Sequence, residues 1–241
     1  MGALGCALWS AMVRRSLRAP AQARTSAAEA LALAPRRRGY RPPAVASVDA
    51  GGGGSAHAGE AAGRAAASRL KSSLRVRELK LDQADPRVTD AQVEKSLLYG
   101  ALAGPDKVAF TGFYVPDTPE GAAAVPQVLH GLFLFGGGVC GHPGFVHGGA
   151  LAAALDESFG VGYYVLAHLP LGFGQRRGFT ANLTVDYRAP VPSGTAARVQ
   201  VELAGPVDGR KVYLKASMVG LDTGTLHAEA SALFVLERES D

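Results

Sequence analysis

Asp156 is the residue of this chain that most invites a chemical reading. It follows the run Gly144-Phe145-Val146-His147-Gly148-Gly149-Ala150-Leu151-Ala152-Ala153-Ala154-Leu155. That run predicts a helix over Gly148–Val165, apolar on every side and therefore buried on every side. Burying a carboxylate costs several kcal/mol unless it is paired. The positions three and four residues away are Ala152, Ala153, Phe159 and Gly160, so no cation answers it. Such a group is either a reactant, acting as nucleophile or general base, or it is bonded to backbone or water at a helix irregularity. Glu157 comes next but points about 100° away around the helix, which reads as solvated or structural.

The start of the same helix offers a second kind of chemistry. The first four amides of a helix lack internal partners and carry the positive end of its dipole. The glycines of His147-Gly148-Gly149 leave them open to a carbonyl oxygen or an oxyanion, although such a triplet also suits a tight turn. Thr180 opens the polar row of the next strand. Its hydroxyl can orient a water beside Asp156, or it is an ordinary strand threonine. Gly148 and Asp156 are eight residues apart, about 12 Å along the axis. One carbonyl carbon cannot reach both, so a shared reaction needs the second group from another chain. Two such helices running antiparallel across a dimer meet that need.

The elements that must hold these groups follow from periodicity. Lys107–Val115, Val128–Phe135, Phe179–Arg188, Ala196–Leu203, Lys211–Leu221 and Thr225–Leu236 alternate as strands. Asp208-Gly209 and Asp222-Thr223-Gly224 are turns between consecutive strands. The expected fold is α+β: a curved antiparallel sheet of about six strands wrapped around one central helix, over residues 105–241. Residues 70–104 read as a helical extension, with a helical stretch at Leu74–Leu81. Thr89 or Asp90 caps a second helix through Tyr99. Residues 42–69, with Pro42-Pro43, the Gly51–Gly54 run and an Ala/Gly/Ser stretch, have linker composition.

Charge is unevenly spread over the 241 residues, whose formal net charge is +4. Residues 1–69 hold ten Lys or Arg against three acids, and the remainder holds fifteen against eighteen. The globular part is mildly acidic, which argues against nucleic acid as a partner. Residues 1–41 carry eight arginines and one acid, the profile of an organelle transit peptide. A mitochondrial address, in the matrix, is favoured over a plastid one; a basic tail on a cytosolic protein is the alternative. No apolar run reaches the roughly 18 residues of a transmembrane helix. With two cysteines, Cys6 and Cys140, no disulfide framework or paired-thiolate zinc site is expected. The histidines show no metal spacing, so no metal or cofactor is implied. Cys140 reads as a packing thiol, and Gly136-Gly137-Gly138 lacks the Gly-Lys-Ser/Thr of a phosphate loop.

The stretch from His147 to Asp156 resembles the HGG-x(6)-D signature of hotdog-fold acyl-CoA thioesterases. Thr180–Pro192, Asp208–Lys211 and Glu229–Phe234 extend the likeness, which is similar to the mitochondrial thioesterase superfamily members four and five and covers roughly residues 110–237. The resemblance implies a hydrolase that splits fatty acyl-CoA, of medium to long chain, into free fatty acid and coenzyme A. The expected assembly is the homodimer that the spacing of Gly148 and Asp156 requires, with dimer against tetramer left open. The resemblance makes Asp156 the base or nucleophile and Gly148 the amide donor to the thioester oxygen. His147 flanks that amide, and Thr180 places the water. Asp186, Arg188, Arg210 and Lys211 fall on coenzyme A contacts. Two positions depart from the family pattern: Asp186 stands where a neutral amide is usual, and Gly141 where some relatives place an asparagine. Phe159, Val161 and Tyr163 would line the acyl tunnel. The alternatives are a non-catalytic acyl-CoA-binding or kinase-interacting module on the same fold, which does not need Asp156, and a dehydratase, which needs a histidine inside the helix.

Overall fold

The computed structural model describes residues 56–79, 94–117, 125–174 and 176–238. Residues 1–41, the first part of the expected linker, and Thr89 and Asp90 lie outside the described residues.

The last part of the expected linker is a helix. Alanine is the strongest helix former, and α1 spans Ala56–Leu74. Its Ala66, Ala67 and Leu70 are buried against Tyr114, Leu132, Leu134 and Ala196 on the outer face of a sheet. Gly63 permits the approach: a Cβ there would stand 2.3 Å from the Phe110 ring. Ala/Gly/Ser composition reads as a linker only while its burial partners, from Tyr114 onward in sequence, are unseen.

The chain then reverses at Arg75, whose φ is 50°. It continues as β1, Val76–Glu78, which pairs antiparallel with β2, Val108–Pro116. The expected helical stretch at Leu74–Leu81 is thus corrected to the last residue of α1 followed by a strand, because the edge of β2 supplies backbone partners. The helix expected through Tyr99 is, in its described part, one widened turn at Leu97–Ala101, capped by the Ser96 hydroxyl accepting from the Tyr99 amide.

Beyond β2 come β3 at Val128–Phe135, a small hairpin of β4 (Cys140–His142) and β5 (Phe145–Val146), and the central helix α2 at Gly148–Tyr163. Then follow β6 at Gly178–Tyr187, β7 at Ala196–Leu203, β8 at Lys211–Gly220 and β9 at Leu226–Leu236. The large sheet runs β1-β2-β3-β7-β8-β9-β6, antiparallel throughout. The six expected strands are present, with the short β1 added as a seventh. One connection differs from simple succession. β6 does not pair with β7 but lies at the far edge beside β9. Its Pro-rich exit is held against β5, where the Val146 amide donates to the Val191 carbonyl.

The sheet curves around α2, and the core lies between them: Leu151, Ala154, Leu155 and Phe159 pack against Phe113, Phe133, Val199, Leu214 and Phe234, among others. This is the hotdog architecture, of class α+β. The expectation of burial on every side of α2 needs one correction. Ala152, Ala153, Asp156, Glu157 and Gly160 are only half-buried, and at that spacing they form one continuous stripe. The sheet closes around the rest of the helix and leaves this stripe open.

Leu70 is fully buried under α1. Leu70→Ala is expected to lower unfolding free energy by about 2–5 kcal/mol, read by urea titration. A loss within experimental error would detach α1 from the cooperative fold.

Candidate active site

The first turn of α2 is settled largely by His147. It has extended backbone (φ −63°, ψ 136°) and caps the helix, its Nδ1 accepting from the Gly149 amide at 2.8 Å. Its carbonyl accepts from the Ala150 and Leu151 amides at 2.9 and 3.2 Å. Of the four amides that a helix start leaves without intrahelical partners, those of Gly149 and Ala150 are engaged in this way, and that of His147 donates to the Val139 carbonyl at 2.8 Å. The Gly148 amide is the one left for a ligand. The Gly148 carbonyl accepts from the Tyr187 hydroxyl at 2.7 Å, and a Cβ at residue 148 would stand 3.3 Å from that ring. The sequence reading did not single out Tyr187. Its signal was present: a polar-tipped ring closing the alternating row Leu183, Val185, Tyr187.

Asp156 stands two turns further on. It is half-buried rather than sunk in the core, and its partner is a hydroxyl: Thr180 Oγ1 donates to Asp156 Oδ1 at 3.0 Å. That contact depends on a β-bulge. Thr180 pairs with Phe234 and Asn182 with Leu233, so Ala181 is the extra residue between them. A regular strand would put Thr180 with Asn182 and Thr184, on the face away from the helix. The bulge turns it inward instead, as bulges beside functional sites commonly do. With Oδ1 engaged, Oδ2 is the oxygen available to a water or a substrate.

Glu157 is structural in its setting, facing the Leu97–Ala101 turn. Burial pushes its carboxyl above the ordinary range, the Tyr99 hydroxyl pulls it down, and the Asp156 charge pushes it up again. The Tyr99 phenol is itself pushed up by burial and by Glu157.

The structure divides the four candidate coenzyme A contacts between two places. Arg188 binds Glu229 at 2.8 Å and reaches Asp186 at 3.8 Å. Asp186 and Glu229 are directly opposed in the β6–β9 register, a like-charge pair that Arg188 bridges. Arg210 donates to the Leu236 carbonyl at 2.7 Å, and Lys211 is exposed nearby in β8. Leu236 is the register partner of Gly178, and Ala228 that of Tyr187. Arg188 and Arg210 therefore lie at opposite ends of β6, about 30 Å apart at strand rise. The Gly148 amide is at the Arg188 end, through Tyr187; Asp156 is at the Arg210 end, through Thr180. Cys140 is half-buried in β4, with its Sγ 4.0 Å from the Gly136 carbonyl.

A helix-start amide and a hydroxyl-bonded carboxylate on one rod are the kinds of group that acyl transfer uses. Residues 143–204 match the model of the thioesterase superfamily. Among curated proteins, the chain is 36% identical over 104 residues to the acyl-coenzyme A thioesterase THEM4 of Rattus norvegicus, a match covering 42% of this chain and 41% of that one. It is 32% identical over 112 residues to the acyl-coenzyme A thioesterase THEM5 of Homo sapiens, covering 45% and 42%. The chain thus spans about two fifths of the length of these relatives. Among solved structures, the zebrafish thioesterase superfamily member 2 aligns with a TM-score of 0.40 at 14% identity, over 50% of this chain and 89% of that one. The thioesterase match begins just before β5 and ends just after β7, so it takes in α2 with His147, Gly148 and Asp156, and β6 with Thr180 and Tyr187.

A carboxyl with a raised folded-state pKa resists ionisation, so the stability it allows is fullest below the unfolded value of about 4.3 and falls as pH rises through the folded value. Glu157→Gln removes this dependence. The variant is expected to match or exceed the wild-type urea midpoint at pH 7, with any gain closing below about pH 4. A midpoint below wild type at pH 7 but not at pH 3.5 would reverse the sign.

Proposed function

We propose that the protein is an acyl-CoA thioesterase that hydrolyses medium- to long-chain fatty acyl-CoA to a free fatty acid and coenzyme A. The observation that carries the reading is the hydroxyl-bonded Asp156 carboxylate, two turns along the same helix from the half-buried Gly148 amide, within a segment that matches the thioesterase superfamily model. The names of the curated relatives support the substrate class. In this reading the thioester oxygen accepts from the Gly148 amide at the positive end of α2. Asp156 Oδ2 either takes a proton from the water that attacks the carbonyl carbon or attacks that carbon itself, and water then releases the acyl group. The thioester C–S bond breaks, and the thiolate leaves and is protonated to free coenzyme A. Thr180 keeps Oδ1 occupied, so that Oδ2 faces the reaction.

Both groups serve one carbonyl only across two chains, so the working unit is a homodimer. The edge strand β6 supports this. It is ten residues long and, among the described residues, unpaired on its outer side, and Phe179 and Tyr187 on it are 54% and 51% exposed. A long open edge of this kind favours pairing with another strand. An antiparallel β6–β6 pairing about a two-fold axis sets the Gly148 end of one protomer against the Asp156 end of the other. It also brings the Arg188 of one toward the Arg210 and Lys211 of the other, three cations within reach of one nucleotide's phosphates. The acyl chain lies between α2 and the sheet, where Phe159, Val161 and Tyr163 stand in the apolar core. The arginine-rich residues 1–41 support import to the mitochondrial matrix.

The full chain with palmitoyl-CoA and a thiol-reactive dye tests the reading. Release of thiol is expected, with Asp156→Asn lowering kcat at least a hundredfold. Full turnover by that variant, or none by wild type on any chain length, would favour the acyl-CoA-binding module instead.

The shared site has its own test. Gly148→Pro removes the amide proton at the helix position that proline tolerates best, His147 already has the extended backbone that precedes proline, and the added Cβ stands 3.3 Å from the Tyr187 ring, which must give by a few tenths of an ångström. Each of Gly148→Pro and Asp156→Asn is expected to be nearly inactive alone. Mixed statistically, the two should recover about a quarter of wild-type activity, since half the dimers are mixed and each holds one intact site. No recovery in dimers that have demonstrably exchanged would place both groups in one chain.

A further inference from the structure

The peptide unit joining Gly148 to Gly149 is gripped from both sides. Its carbonyl accepts from Tyr187 Oη at 2.7 Å, and its N–H donates to His147 Nδ1 at 2.8 Å. An imidazole nitrogen that accepts from an amide carries no proton, so the neutral ring holds its proton on Nε2. Nε2 makes no hydrogen bond to another described residue, and the His147 side chain is exposed at the start of α2. The ring has room there because residue 141 is glycine: a Cβ at that position would stand 2.8 Å from His147 Cδ2 and 3.3 Å from its Cα.

The three links share one direction. The tyrosine hydroxyl donates to the peptide carbonyl, the same peptide's N–H donates to Nδ1, and Nε2–H is left to donate outward. Links so ordered polarise one another, and each strengthens the next donor. The Gly148 amide, the one first-turn amide without a partner inside the turn, adjoins the same ring.

We propose that Tyr187 is a positioning residue of this site: through the peptide between Gly148 and Gly149 it fixes His147 with Nε2–H outward, as a second donor to the thioester oxygen beside the Gly148 amide. This rests on the hydrolase reading and assigns a residue that the reading did not use. It also gives Gly141 a role. A side chain at residue 141 would crowd the imidazole, and glycine leaves that space to the ring.

The test is a double-mutant cycle on the full chain with palmitoyl-CoA. Tyr187→Phe keeps the ring over Gly148 and removes only the hydroxyl. His147→Ser keeps an oxygen acceptor for the helix cap and removes Nε2–H. Tyr187→Phe is expected to lower kcat about tenfold with KM within twofold and the melting temperature unchanged. His147→Ser is expected to lower kcat about a hundredfold. The double variant should be no slower than His147→Ser alone, because both changes break one chain of donors. Nitrogen-15 NMR of the wild type should show His147 protonated at Nε2 and bare at Nδ1, with that preference weakened in Tyr187→Phe.

An active wild type with unchanged kcat in Tyr187→Phe overturns this inference and leaves the hydrolase reading standing. Multiplicative losses in the double variant, or a proton on Nδ1, overturn it as well. A wild type that releases no thiol from any acyl-CoA overturns the hydrolase reading, and the donor role with it.

Discussion

A helix is a rod, and the separation of Gly148 from Asp156 along α2 is the constraint on which the rest of the structure turns. Eight residues at 1.5 Å each hold the amide and the carboxylate about 12 Å apart, and no local adjustment shortens that. The sheet does not try to close the gap. It anchors each end separately, and one strand provides both anchors. β6 runs antiparallel to α2, with Tyr187 at the helix start and Thr180 two turns on. Among the described residues, the strand that carries both anchors is the edge without a neighbour. In the proposed reading, one chain therefore holds two half-sites facing the same open edge.

The electrostatics follow from the same arrangement. Asp156 is bonded to a hydroxyl where a cation could have stood. A cation there would tie the carboxylate into an ion pair; the hydroxyl orients one oxygen and leaves the other open. The cations are kept elsewhere. Arg188 is engaged with Glu229 and Asp186 on the outer face of the sheet, and Arg210 and Lys211 lie at the far end of β6. Asp186, which looks like a misplaced charge for binding phosphate, has a local explanation: together with Glu229 it holds the Arg188 guanidinium in place.

Much of this was legible in the sequence because it is written in local periodicity. The alternation of Val199, Val201 and Leu203, or of Val212, Leu214 and Ala216, defines strands whatever surrounds them, and the run from Gly148 onward defines α2. His147, Gly148 and Asp156 were legible for the same reason: a carboxylate without a neighbouring cation inside an apolar helix is visible in one dimension. What escaped was non-local. The helix over residues 56–74 depends on Tyr114, Leu132 and Leu134, far along the chain, and Val76–Glu78 becomes a strand only because β2 has a free edge. Thr180 was found by type and read beside Asp156, where it stands, but the bulge at Ala181 that turns it there escapes strict alternation. Tyr187 was passed over because a tyrosine at the end of an alternating row looks like packing until its hydroxyl is seen on the Gly148 carbonyl.

The covering of the outer face bears on how chains can assemble. Where α1 lies, Tyr114, Leu132, Leu134 and Ala196 already have an apolar partner in the same chain. Beyond α1 the face carries a polar row, with Arg198 bonded to Gln200, Gln200 to Glu202, and Glu202 to Lys215. Neither region presents the large apolar surface that an obligate interface uses. The β6 edge is different. It has unpaired backbone donors and acceptors along its length and two large rings half in solvent. Unpaired backbone groups gain most when a second strand satisfies them all in register. Assembly through that edge joins the two ends of α2 that one chain holds apart, so the least satisfied edge of the fold is also the one that completes the proposed site.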